Sequence, residues 1–397
     1  MQRIHGLFGF GIALLALLGG CREPFTPKID EFQEVLVVEG RITDDPTGSQ
    51  VTLSRSYGFG QDEVKPVTGA GVIISEAGGT SHQLTETAPG VYRTNPAVFV
   101  GQAGKTYQLA LSLPDGKRYL SEPQTLLLSP PIDSLSFEYQ IRPTSDPDLD
   151  VEGVQIFVDT RGTDEGPRNF QWEYDETWEF FVPFPIFERW EWTNPPRTVP
   201  IGADEQTRHC WQSDIGTGIH VGTSRGLSQN TISKFPMAFV GSREGKFAWT
   251  YSIRVKQYAL SDEEYSFLKV MQQNTETTGS LFDPIPAEVR GNIREEGNPE
   301  TPVIGFFGAS TLQEKRLFID RQELPENAGL FRRFAACKLD TLPLEWQPLL
   351  DAGVPTNRYF YDTLYNIMYV PIGLLIVDPN CGDCRLNGTS EKPVFWP

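Results

Sequence analysis

Positive charge is scarce in this chain of 397 residues: 34 Lys and Arg stand against 52 Asp and Glu, a net charge of −18. Nucleic-acid backbones and anionic lipid headgroups are bound through clustered cations, so both are excluded as electrostatic partners. Long apolar runs are missing too. Beyond Leu18 no apolar stretch approaches the ~18 residues that a membrane-crossing helix needs. The sequence also has no H-E-x-x-H, no Gly-rich phosphate loop and no second C-x-x-C. Those spacings hold a catalytic zinc, a nucleotide and a zinc ribbon respectively, so no metal and no cofactor is expected. Aromatic residues, at 12%, are plentiful enough for packed cores, and the length suggests two or three domains.

The one apolar run lies at the start. Arg3 and His5 precede residues 7–18, which end in Leu18-Gly19-Gly20-Cys21. A run this short has the length of a signal-peptide core, and the small residues before Cys21 match a lipobox. The expectation is removal of residues 1–20, acylation of Cys21 and a mature protein tethered to lipid without spanning the bilayer, since buried acyl chains give stable anchoring. Residues 21–32, with Pro24, Pro27 and mixed charges, read as the linker. Arg22 follows the acylated Cys where inner-membrane retention would favour Asp, which points to the outer membrane, its face left open.

Four cysteines remain: Cys210, Cys337, Cys381 and Cys384. In an oxidising compartment an even number implies two disulfides, with three connectivities open. The adopted reading pairs Cys210 and Cys337 each with one cysteine of Cys381-Gly-Asp-Cys384, stapling the tail to the body. A redox C-x-x-C requires a following helix, and residues 385–397 have no helical stripe.

Residues 33–128 contain short strand candidates at 35–38, 51–53, 72–74, 83–84, 91–92 and 107–113. Turn signals such as Asp45-Pro46-Thr47-Gly48 and Pro114-Asp115-Gly116 separate them. Short strands without intervening helices predict a β-sandwich. The run Gly104-Lys105-Thr106-Tyr107-Gln108-Leu109 looks like the tyrosine-corner strand of immunoglobulin-like and carboxypeptidase-regulatory-like modules. His82 reads as an exposed hairpin residue.

Pro130-Pro131 marks a joint, and residues 130–397 read as a larger β-rich domain with one inserted helix. Tyr251, Ile253 and Val255 alternate with Ser252, Arg254 and Lys256 as in a half-buried strand. A helix over 261–274 follows, with Ser261 and Glu264 at capping-box spacing and a stripe of Tyr265, Leu268, Val270 and Met271 expected against a sheet of this second domain. The whole is mainly β.

Several strings occur in a fixed order: Glu176-Thr177-Trp178-Glu179 after the aromatic strand at 170–174, Cys210-Trp211, Gly279-Ser280-Leu281-Phe282-Asp283, Gly305-Phe306-Phe307-Gly308, Cys381-Gly382-Asp383-Cys384-Arg385 and Lys392-Pro393-Val394-Phe395-Trp396. Together they resemble DUF4249, a family of lipoproteins from Bacteroidota. The resemblance implies a non-enzymatic accessory role, since such lipoproteins commonly accompany TonB-dependent transporters. The expected partners are the outer-membrane bilayer, through Cys21, and such a transporter. The alternatives are a surface glycan or peptide hydrolase and a purely structural envelope protein.

Ten of the twenty-three residues from Phe170 to Trp192 are aromatic. Phe170, Trp172 and Tyr174 share one strand face and read as core. Phe184, Phe187, Trp190 and Trp192, among prolines, are the best candidate surface for a ligand or partner. Gly222-Thr223-Ser224-Arg225-Gly226 matches the serine-hydrolase string G-x-S-x-G, but no helical stripe follows Ser224 as a nucleophile elbow demands. Asp146, Asp148 and Asp150 lack the Gly and terminal Glu of a calcium loop. His209, Cys210 and His220 lack ligand spacing, and Cys210 is better used in a disulfide.

Overall fold

The computed structural model describes residues 34–56, 64–143, 151–191, 197–202, 207–276, 290–326, 334–342 and 359–397. Cys21 with its flanking leader and linker, the Asp146–Asp150 loop and Trp192 lie outside these residues. The protein is mainly β, as two sandwiches and a small lobe.

The first sandwich follows from strands that alternate inward and outward. In Thr106–Ser112 the inward residues Tyr107, Leu109 and Leu111 are buried, and in Leu36–Ile42 so are Leu36, Val38 and Ile42. Tyr107 forms the expected corner: its ring is sealed, and its hydroxyl accepts the Gln102 backbone N–H at 3.0 Å. His82 is not the exposed hairpin residue that the sequence suggests. Its ring stacks on Phe99 with centroids 4.0 Å apart and is half-buried.

The division at residue 128 needs a larger correction. Val303–Ala309 runs parallel to Leu36–Ile42 in the first sandwich, and Ile293–Glu295 pairs with Arg118–Ser121 in its other sheet. The chain thus leaves the sandwich, builds the second domain and returns to complete the first. Gly305, at φ +143°, suits this close return, since a Cβ there would collide with the Val38 carbonyl oxygen.

The second sandwich packs the sheet of Ile132–Arg142, Val151–Arg161 and Thr231–Gly241 against one built on Asn169–Phe181 and Tyr251–Leu260. Phe170 and Trp172 are core, with Tyr174 packed against it, and the Trp172 indole N–H donates to Gln257 Oε1 at 2.8 Å. Gln257 is fully buried, and its amide also donates to the Pro130 carbonyl at 2.6 Å. The prolines at the joint are therefore pinned to the second core.

The helix spans Asp262–Glu276, and Ser261 caps it by accepting the Glu264 N–H at 3.1 Å. Only half of the capping box forms. Glu264, 3% exposed, turns away to Arg41 of the first sandwich at 2.7 Å. The buried face accordingly centres on Glu264 and Phe267 and not on the predicted stripe, whose members are half-buried. Phe267 packs on Phe306 of the returning strand, with centroids 5.7 Å apart. Arg41 also lies over the Tyr258 ring and donates to Gln171, so one buried cation ties helix, first sandwich and second sandwich together. The partners offset part of the cost of burying the charge, and what the pair provides is position more than stability.

Candidate functional site

In the string Glu176-Thr177-Trp178-Glu179 the two carboxylates are held by internal bonds. Glu176 accepts from the Tyr251 hydroxyl at 2.7 Å and pairs with Lys246, which also meets Glu244 at 2.8 Å and lies over the Trp178 ring. Glu179 pairs with His209 at 2.9 Å and accepts the Thr250 N–H at 3.2 Å. Burial drives the Tyr251 hydroxyl well above its ordinary range, and Glu176 adds to the effect. Burial pulls the Lys246 ammonium down, but its two carboxylate partners outweigh this and raise it. Neither group changes charge near neutral pH, so the cluster acts as a brace.

Ser224 is fully buried, with its hydroxyl held by Asn230 Oδ1 and close to the Arg168 carbonyl. The chain after it enters the strand Thr231–Gly241, so no nucleophile elbow is formed. His209 and His220 lie on separate strands, and Cys210 is disulfide-bonded. Among the described residues no cluster of three or more His, Cys, Asp and Glu has metal-binding geometry.

Both disulfides take the adopted pattern: Cys210–Cys384 and Cys337–Cys381. The tail C-x-x-C sits in two short helical turns, Pro379–Gly382 and Cys384–Leu386. Asp378 and Asp383 cap them by accepting the N–H groups of Asn380 and Arg385, each at 3.0 Å. Around this knot lies a small lobe. The strand Pro371–Val377 pairs with Leu339–Leu342 on one side and Tyr359–Tyr365 on the other. The hairpin of Glu188–Glu191 and Arg197–Pro200 packs beside Tyr359–Tyr365. Backbone bonds from Phe184 to the Cys381 carbonyl and from Ile186 to the Gly382 carbonyl sew the 183–187 loop to the knot.

This geometry divides the predicted aromatic surface. Phe184 packs into the lobe core and meets Tyr361 edge-on at 5.7 Å, so it is withdrawn from the candidate surface. Phe187 is 69% exposed and remains on it. Trp190 lies in the strand Glu188–Glu191, its side chain outside the described residues, as is the whole of Trp192.

Among the described residues, an exposed apolar cluster lies where sequence reasoning passed over it. Where Tyr359–Tyr365 turns into Pro371–Val377, Ile367, Met368 and Tyr369 are 97%, 76% and 86% exposed. The turn is stiffly built. Asn366 Oδ1 accepts the N–H groups of both Met368 and Val370, at 2.9 and 3.0 Å. The Tyr369 N–H bonds the Asn366 carbonyl and the Asn366 N–H bonds the Val370 carbonyl, at 3.0 and 2.9 Å, with Tyr369 in the left-handed region at φ +56°. A signal was present in the sequence: no charged side chain occurs between Asp362 and Asp378.

A cavity of about 430 Å³ lies where the helix end meets the first sandwich, lined by Met271, Asn274, Arg294, Val303 and Ile304 among others. The Arg294 guanidinium is spent on the Gly291 and Ile293 carbonyls, and Arg290 faces Glu300, so its cations do not converge on the space.

Comparison with curated proteins finds no match. A family model, the domain of unknown function DUF4249, matches residues 22–316. The match takes in both sandwiches and the brace around Glu176, but ends before the tail C-x-x-C and the exposed hairpin. It covers well over half of the sequence, and the chain belongs to the DUF4249 family.

Proposed function

We propose that this protein is a non-enzymatic, lipid-anchored binding protein of the outer membrane of a Bacteroidota cell, acting as an accessory of a TonB-dependent transport system. The observation that carries the reading is a covalently braced lobe that holds large apolar side chains in solvent. Phe187 and the 365–372 hairpin stand out from a body whose own aromatic residues are mostly sealed. Exposed apolar side chains of this kind mark contacts with a protein or a membrane, and Phe187 is the one assigned here to the partner. Acylation of Cys21 after removal of residues 1–20 would supply the anchor, and the acidic charge turns the chain away from nucleic acid. The buried Ser224 and the engagement of Glu176 by Tyr251 and Lys246 give the hydrolase alternative no support.

The test is a mild-detergent pull-down of the tagged, acylated chain from its own membrane, with mass spectrometry of co-purifying proteins. A stoichiometric transporter, reduced by Phe187→Ser, is the expected result. Recovery of lipid alone would overturn the accessory role.

A further inference from the structure

We infer that the hairpin tip at residues 365–370 seats in a neutral lipid surface, giving the protein a second membrane contact beside its anchor. The inference rests on the anchored reading above.

Four observations converge on this occupant. First, the tip offers hydrocarbon with aromatic flanks: Ile367 and Met368 stand between Tyr365 and Tyr369, which are 51% and 86% exposed. Tyrosine favours the headgroup level, where its ring meets apolar chains and its hydroxyl meets water. Second, the backbone is prepared for a dry medium. The N–H groups of Asn366, Met368, Tyr369 and Val370 are all bonded within the turn. A bare N–H in hydrocarbon costs several kcal/mol, which usually keeps loops out of membranes; here Asn366 removes that cost for the N–H groups of Met368, Tyr369 and Val370.

Third, charge selects the kind of surface. On a chain of net charge −18, the run from Thr363 to Val377 is neutral and has no cationic collar. Such a tip complements an uncharged, zwitterionic bilayer, whereas an anionic one would repel the rest of the chain. Fourth, the anchor sets the reach. Twelve residues separate Cys21 from Glu34, where the described chain begins. Fully extended they span at most about 43 Å, which keeps the body within range of the bilayer. A second membrane contact would add to the anchoring by the acyl chains and fix the orientation of the body at the surface.

The acylated full chain is reconstituted in vesicles of phosphatidylethanolamine and phosphatidylcholine. An environment-sensitive dye is attached through Met368→Cys in one sample and Val98→Cys in another. The expected result is blue-shifted, several-fold brighter emission at 368, quenched by nitroxide lipids and unchanged in molar salt, while the dye at 98 reports water. Vesicles that float with the protein while the dye at 368 still reports water would overturn the insertion and leave the anchor intact. A blue shift without nitroxide quenching would overturn it equally, since a protein surface or a second copy would then cover the tip. Protein that fails to float would overturn the anchored reading and, with it, this one.

Discussion

In the second sandwich, Phe170, Trp172, Tyr251 and Ile253 are no more than 1% exposed, whereas in the stapled lobe Ile367 is 97% and Tyr369 86% exposed. The sandwiches are held by continuous apolar cores. The lobe core shrinks to a cluster around Ile186, Val377 and Cys381, with a disulfide running through it. The contrast teaches that a crosslink releases side chains from packing duty. A small element that cannot bury enough surface to fold alone is stabilised instead by restricting its unfolded state. Its apolar residues are then free to face outward.

The hardest blow to this comparison falls on the body. Trp172→Ala removes a sealed indole and the donor to Gln257, and should cost about 3–5 kcal/mol, read as a lowered denaturation midpoint of the full chain. A loss near zero would show that the second core does not carry the body. Next comes Cys337→Ala with Cys381→Ala, which opens a crosslink between residues 44 apart. A loss of about 2–4 kcal/mol is expected, confined to the lobe. Limited proteolysis should then cut within residues 337–381 while the main melting transition stays in place. A shift of the whole transition would erase the distinction between the two regions. The smallest effect belongs to Ile367→Ser, which should change stability by less than about 0.5 kcal/mol, because the side chain is 97% exposed. A larger destabilisation by thermal melting would mean that the tip serves the fold.

Legibility in the sequence followed the range of the interaction. Tyr107 in its corner, Ser261 at its cap and the strand through Tyr251, Ile253 and Val255 are local patterns, and local patterns were readable. The strand is not half-buried, however, because it lies inside its sheet and Ser252 on its other face is sealed as well. The pairing of Cys210 and Cys337 with the tail cysteines was reached because few thiols left few arrangements. Glu264 misled: its spacing from Ser261 signalled a capping box, but Arg41, far away in sequence, offered the carboxylate a stronger partner. The return of residues 293–309 to the first sandwich has no local sign, since parallel pairing can join any two apolar strands once the chain between them is accommodated. The hairpin tip was missed because Ile367, Met368 and Val370 have core composition, and only the surrounding topology decides whether such residues end up covered.

The parallel strand Val303–Ala309 has a consequence for the order of events in the cell. An exported chain arrives from its beginning, so the sandwich started at Leu36 stays open along one edge until residue 309 has followed. During that time the Leu36–Ile42 edge is an unpaired template for any passing strand. Closing so long a loop is slow, which ties maturation of the first-made part to completion of the second. A fragment ending near residue 128 would therefore be an unfinished sheet, and quality control that holds the chain until its last third arrives would protect it.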